Sequence, residues 1–150
     1  MALKEKWTLE ARLSTVLRES NLLLNRYCNF YFDTGKNFNE GEKEQFYFGG
    51  KADVFCAEVE LPQNTVAVRF DPVEGCGCFL QNLVVLSDAG VSLDYQILNG
   101  FMSENNGIVF SATNDPQILI NVDKMNIRKI KVQCSLWFFT LPKNVSRRGA

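Results

Sequence analysis

Thr65-Val66-Ala67-Val68-Arg69-Phe70-Asp71-Pro72 is the stretch on which the fold reading turns. Val66, Val68 and Phe70 alternate with Ala67, Arg69 and Asp71, the two-residue period of a strand with one face in a core. A helix would space its apolar residues by three and four instead. Asp71 is placed to fix a turn, and Pro72, which has no N–H to give a ladder, ends the strand. Arg69 lies on the face opposite Val68 and Phe70, and a structural ion pair with a nearby carboxylate accounts for a charge there.

The same alternation continues outward. Strands are expected over 28–33, 44–48, 54–61, 65–71, 78–87, 91–98, 108–112, 117–122 and 129–140, rich in Val, Ile, Phe and Tyr. Between them stand turn clusters such as Thr34-Gly35-Lys36-Asn37, Pro62-Gln63-Asn64, Asp88-Ala89-Gly90 and Asn105-Asn106-Gly107. These residues supply a positive φ or preset a turn. The last strand carries Leu136-Trp137-Phe138-Phe139, apolar on both faces, which puts it inside a sheet rather than at an edge. About nine such strands point to an all-β fold, an antiparallel, jelly-roll-like β-sandwich over residues 28–142. Ahead of it, Leu9, Leu13, Val16, Leu23 and Tyr27 recur at helical spacing. Residues 1–27 are therefore read as one amphipathic helix, suited to docking or to a short coiled coil. Residues 143–150 are read as a flexible tail.

Composition narrows the chemistry. The 150 residues are 46% hydrophobic, enough for one domain with its own core. Sixteen Lys and Arg against 17 Asp and Glu leave a net charge of −1, with no field to gather nucleic acid. There is no His, which removes the commonest general base and metal ligand. No G-x-S-x-G elbow, phosphate-cradling glycine loop or EF-hand pattern occurs. Five Cys do not close a disulfide framework, and Cys56 and Cys134, set in apolar runs, are read as buried hydrophobes. Cys76-Gly77-Cys78 has too short a spacer and no second pair for zinc, so no metal and no cofactor are expected. No secretory h-region and no run long enough to cross a membrane are present. A cytoplasmic location and no membrane insertion are the resulting expectations.

Two groups of residues remain as candidate sites. Asp33, Glu40, Glu42, Asp71, Glu74 and Asp115 fall at strand ends or in loops. Solvated loop carboxylates are the ordinary reading, with a glycosidase pair or a Ca²⁺ cluster as alternatives. The second group is aromatic: Phe30/Phe32 and Phe46/Phe48 share one face of their strands, leaving Tyr31 and Tyr47 on the other. Tyr31 and Tyr47, with the loop residues Asn37, Asn39 and Glu40, are the expected ligand-binding set: rings to stack on a sugar and polar groups to take its hydroxyls. No catalytic residue is assigned.

Three motifs carry a resemblance. Tyr31-Phe32-Asp33-Thr34-Gly35-Lys36-Asn37-Phe38-Asn39-Glu40, Val66-Ala67-Val68-Arg69-Phe70-Asp71-Pro72 and Phe110-Ser111-Ala112-Thr113-Asn114-Asp115-Pro116-Gln117-Ile118 occur in this order. They resemble the signatures of an accessory β-sandwich domain of bacterial glycosyltransferases and methyltransferases that build cell-surface polysaccharide. The resemblance spans residues 28–140 and implies a non-catalytic, carbohydrate-binding-module-like domain beside a transferase. On it Asp33, Thr34, Gly35, Arg69, Asp71 and Pro72 look like turn and pairing determinants rather than sugar contacts. The expected partners are a glycan and a glycosyltransferase or methyltransferase domain. The competing reading is a structural module whose N-terminal helix mediates homo-oligomerisation or docking.

Overall fold

The computed structural model describes residues 26–49, 54–122 and 126–139. Its elements are β1 (Arg26–Asp33), β2 (Lys43–Gly49), β3 (Val54–Glu60), β4 (Ala67–Asp71), β5 (Gly77–Ser87), β6 (Tyr95–Ile97), β7 (Phe101–Met102), β8 (Ile108–Phe110), β9 (Ile118–Asn121) and β10 (Lys129–Phe139). All pair antiparallel, in two five-stranded sheets. The first has the order β2-β1-β4-β9-β6 and the second β3-β10-β5-β8-β7. Only β1–β2 and β7–β8 are joined within a sheet; every other consecutive pair crosses from one sheet to the other.

The inward positions of both sheets form one core. Phe30 and Phe70 of the first sheet stack with centroids 4.7 Å apart, and Phe55 of the second lies over Phe70 at 6.1 Å. Phe46 meets Phe30 and Phe55 edge-on. Val68, Ile118 and Ile120 line the same interior with Ile130, Val132 and Leu136 from the facing sheet. Truncating a ring such as Phe70 would cost about 3–5 kcal/mol, because its neighbours cannot collapse into the gap.

The register shifts at two places: between Arg26 and Tyr27, where β1 meets the end of β2, and within β5. Opposite Gln133 and Ser135 of β10, β5 presents Val84 and Gln81, so β5 holds one residue more than its partner. Asn82 takes a left-handed φ of 56° in this bulge. The extra residue exchanges faces: Cys78 and Leu80 point inward before it, Val85 and Ser87 after it. The apolar run Leu83-Val84-Val85-Leu86 is thus split between core and surface.

Several expectations are corrected. Arg26 and Tyr27, assigned to the helix, are the first residues of β1, and the rest of the helix reading and the 143–150 tail lie outside the described residues. The short strand β7 was not foreseen. Cys134 is buried, but Cys56 is exposed, because it faces outward on edge strand β3 between the buried Phe55 and Ala57. β10 does run between β3 and β5 inside its sheet. Among the described residues no helix is long and apolar enough to cross a membrane.

Candidate functional site

The outer face of the first sheet carries a polar surface built by register. Tyr27 stands opposite Tyr47; Gln45, Asn29 and Asp71 lie abreast in the next row; Lys43, Tyr31, Arg69 and Leu119 form the row after that. Period-two alternation places all of them outward, since Cys28, Phe30, Val68 and Phe70 between them are buried in the core.

Arg69 and Asp71, two residues apart on one strand, form a bidentate pair: Nε donates to Oδ1 at 2.8 Å and an Nη to Oδ2 at 2.9 Å. The ion pair expected for Arg69 is therefore present. Its guanidinium lies over the Tyr31 ring at 4.5 Å and near the Phe38 ring at 5.5 Å. The single proton of the Tyr31 hydroxyl is shared between Glu74 Oε1 at 2.9 Å and Glu40 Oε1 at 3.2 Å. Glu40 in turn pairs with Lys43 at 2.6 Å.

The loop between β1 and β2 is tied down by its own side chains. Asp33 Oδ1 accepts the N–H groups of Gly35 and Asn37, and both take a positive φ. Thr34 donates to Glu42, and Asn39 Nδ2 donates to Glu42 and to the Asn37 carbonyl. On the other side, Asp115 is held by Gln117, whose Nε2 donates to Oδ2, and by its own N–H to Thr113 Oγ1. The Gly75 N–H donates to the Asn114 carbonyl and brings the β4–β5 connection against this turn. Asp71, Glu74 and Asp115 thereby converge, each offering an oxygen within 4.8 Å of the others.

Electrostatics follow from these contacts. Burial pushes the Asp71 carboxyl up to about 6, against the pull of Arg69, and Asp115 and Glu74 add to the rise. Burial, then the bond to Glu74, raises the Tyr31 phenol above its usual range. Lys43 holds Glu40 below the usual carboxylate range, and the Thr34 and Asn39 bonds do the same for Glu42. Asp71 is fully buried and clamped, so it cannot serve as a proton donor to a substrate. Burial also keeps thiols protonated: Cys134 is pushed up to about 12 and Cys78 well above its ordinary value.

The expected ligand-binding set divides. Tyr31 is only 3% exposed, covered by Arg69 and bonded through its hydroxyl, so it is no stacking platform. Its ring supports the ion pair instead. Asn37 and Asn39 build the loop, and Glu40 locks Tyr31 and Lys43. Tyr47 is 56% exposed, as its outward position suggested, and its neighbour is Tyr27, 48% exposed, with ring centroids 5.1 Å apart. Sequence reasoning missed Tyr27 by assigning it, with Arg26, to the helix; Tyr27, Asn29 and Tyr31 alternate with Cys28, Phe30 and Phe32, and that period was the available signal. Elsewhere, a polar cleft of about 1060 Å³ includes Glu60, Gln63, Asn64, Asp88 and Arg128, and none of the expected set lines it.

No family model matches the chain, and no curated protein does. A crystal structure of envelope protein VP37 from White Spot Syndrome Virus aligns with 78% of this chain and 98% of its own, at 10% identity and a TM-score of 0.27. A likeness that remote carries no argument about this chain.

Proposed function

We propose that the domain is a non-catalytic carbohydrate-binding module that positions a polysaccharide for a glycosyltransferase or methyltransferase partner. The observation that carries this reading is the exposed Tyr27–Tyr47 pair beside Gln45 on the outer face of the first sheet. Two half-exposed rings tilted by 49° offer a contoured apolar platform for the C–H face of a sugar. Gln45 spends one end of its amide on Asn29 and keeps the other for a ligand hydroxyl. The repeated crossing between sheets supports the finer, jelly-roll-like reading of the sandwich. The three-motif resemblance supplies the sugar class, that of bacterial surface polysaccharides.

Titration of the full chain with oligosaccharides from such polysaccharides tests this. Tyr27→Ala and Tyr47→Ala should each weaken binding about tenfold while leaving the circular dichroism spectrum unchanged, since a stacked ring contributes on the order of 1–2 kcal/mol. Binding that survives both substitutions, or no binding to any saccharide at millimolar concentration, rejects the reading.

The alternative is a structural or oligomerisation module. One observation favours it: Phe101, Val109, Phe79 and Trp137 lie abreast across the outer face of the second sheet, with Phe101 more than half exposed. Sedimentation should then show self-association that Phe101→Asp abolishes, and a monomer at high concentration counts against it.

A further inference from the structure

We propose that Asp71, Glu74 and Asp115, together with the side-chain amide of Asn29, form a site for one divalent cation of the calcium type. This goes beyond the carbohydrate reading and does not depend on it. The three carboxylates come from the end of β4, the β4–β5 connection and the β8–β9 connection, and one oxygen of each lies within 4.8 Å of the others. Calcium holds oxygens at 2.3–2.6 Å, so oxygens on opposite sides of one ion stand about 5 Å apart. Magnesium at about 2.0–2.1 Å demands a tighter, near-octahedral cage. Ligands drawn from turns on several connections suit the larger, more permissive ion.

Charge points the same way. Three carboxylates and the Arg69 guanidinium sum to a charge of −2, which one divalent ion neutralises. Glu40 is already balanced by Lys43. The carboxylates also retain capacity: Tyr31 bonds Glu74 through Oε1, and Gln117 bonds Asp115 through Oδ2, so Glu74 Oε2 and Asp115 Oδ1 are available. Each Asp71 oxygen takes a single N–H from Arg69 and keeps a lone pair.

The independent observation is Asn29. It is 1% exposed, and its Nδ2 is buried without a hydrogen-bond partner. Its Oδ1 turns toward β2 to accept from Gln45 at 3.0 Å, which leaves Nδ2 on the opposite side, where Asp71 is its register partner on β4. An orphaned donor in such a place is costly. A half-turn of both amides keeps their mutual bond, with Asn29 Nδ2 donating to Gln45 Oε1, and turns Asn29 Oδ1 toward the carboxylates. Oδ1 then faces the carboxylates and is satisfied only when a cation sits among them, and the set becomes all oxygen, which is what a hard cation requires.

The test uses the full chain stripped with EDTA and titrated with CaCl2 by calorimetry. Terbium luminescence excited through the aromatic rings supplies a second readout, since the Tyr31 hydroxyl touches Glu74. The expected result is one Ca²⁺ per chain and a Tm rise of about 5 °C or more at saturating calcium. Glu74→Gln and Asp115→Asn, at exposed or half-buried positions that leave Asp71 paired, should each weaken Ca²⁺ binding by about tenfold or more. Asn29→Asp should tighten it and Asn29→Leu weaken it, while Glu42→Gln, in the neighbouring loop, leaves it unchanged. Absence of heat, Tm shift and terbium signal at millimolar ion overturns the proposal. So does calcium binding that neither Glu74→Gln nor Asp115→Asn alters. Binding that persists unchanged in Asn29→Leu removes Asn29 from the site.

Discussion

The two outer faces of the sandwich are built on the same alternation and filled in opposite ways. On the first sheet the outward residues bond to one another: Arg69 to Asp71, Tyr31 to Glu74 and Glu40, Gln45 to Asn29. Asp71 and Asn29 are as buried as the core, although they point away from it. On the second sheet, in the row Phe101, Val109, Phe79 and Trp137, the rings of Phe79 and Trp137 meet at 5.8 Å, and the Trp137 Nε1 has no hydrogen-bond partner. The first set is held by directed bonds that fail when one member is removed. The aromatic row is held by contact area, which tolerates exchange of one apolar group for another.

The comparison breaks most visibly at Arg69. Arg69→Ala leaves the Asp71 carboxylate buried without its partner, and urea denaturation should show a loss of about 3–5 kcal/mol. Arg69→Met with Asp71→Leu should recover most of that, because it removes both charges together. Next comes the pH dependence of Asp71. Its carboxyl titrates near 3.8 in the unfolded chain and at about 6 in the folded one, so the folded state binds the proton more tightly. Its contribution to stability is complete below pH 3.8 and is lost as pH rises through 6. Against Asp71→Asn, in EDTA, the wild type should lose on the order of 2–3 kcal/mol across that window. A flat difference would mean that Arg69 outweighs burial. Tyr31→Phe follows, with a cost of about 1–2 kcal/mol from the bonds to Glu74 and Glu40. On the second sheet, Trp137→Phe should change stability by less than about 1 kcal/mol, since no hydrogen bond is lost. A larger loss there than for Tyr31→Phe would reverse the contrast between the faces.

Much of the strand plan was legible because alternation is a local property. Val66 to Asp71 announced β4, and the run through Leu136-Trp137-Phe138-Phe139 announced an interior strand, with Leu136 and Phe138 buried and Trp137 and Phe139 half-buried on the outer face. The bulge at Asn82 was not legible, since one residue in left-handed conformation changes faces without altering the apolar content around it. Nor was the two-residue strand β7, too short to show a period. The site was legible only in its parts. Outward tyrosines follow from period two, but whether a ring is covered depends on which loop folds over it, and that is a long-range matter. Tyr31 and Tyr47 have the same local signal; Arg69 and Glu74, distant in sequence, make one a buried support and leave the other in the open. The convergence of Asp71, Glu74 and Asp115 was hidden for the same reason, since the end of β4 and two separate connections meet there.

The path of the chain has a consequence for how the molecule forms. Apart from β1–β2 and β7–β8, each strand finds its hydrogen-bonding neighbours only after the polypeptide has passed to the opposite layer and back. Few pairings can therefore form early between adjacent segments, and loop-closure entropy must be met before they reward it. Such a topology folds in milliseconds to seconds rather than microseconds. It also offers no point at which the sandwich could be cut into halves that each keep a sheet, so a fragment ending between β5 and β6 would have neither layer complete.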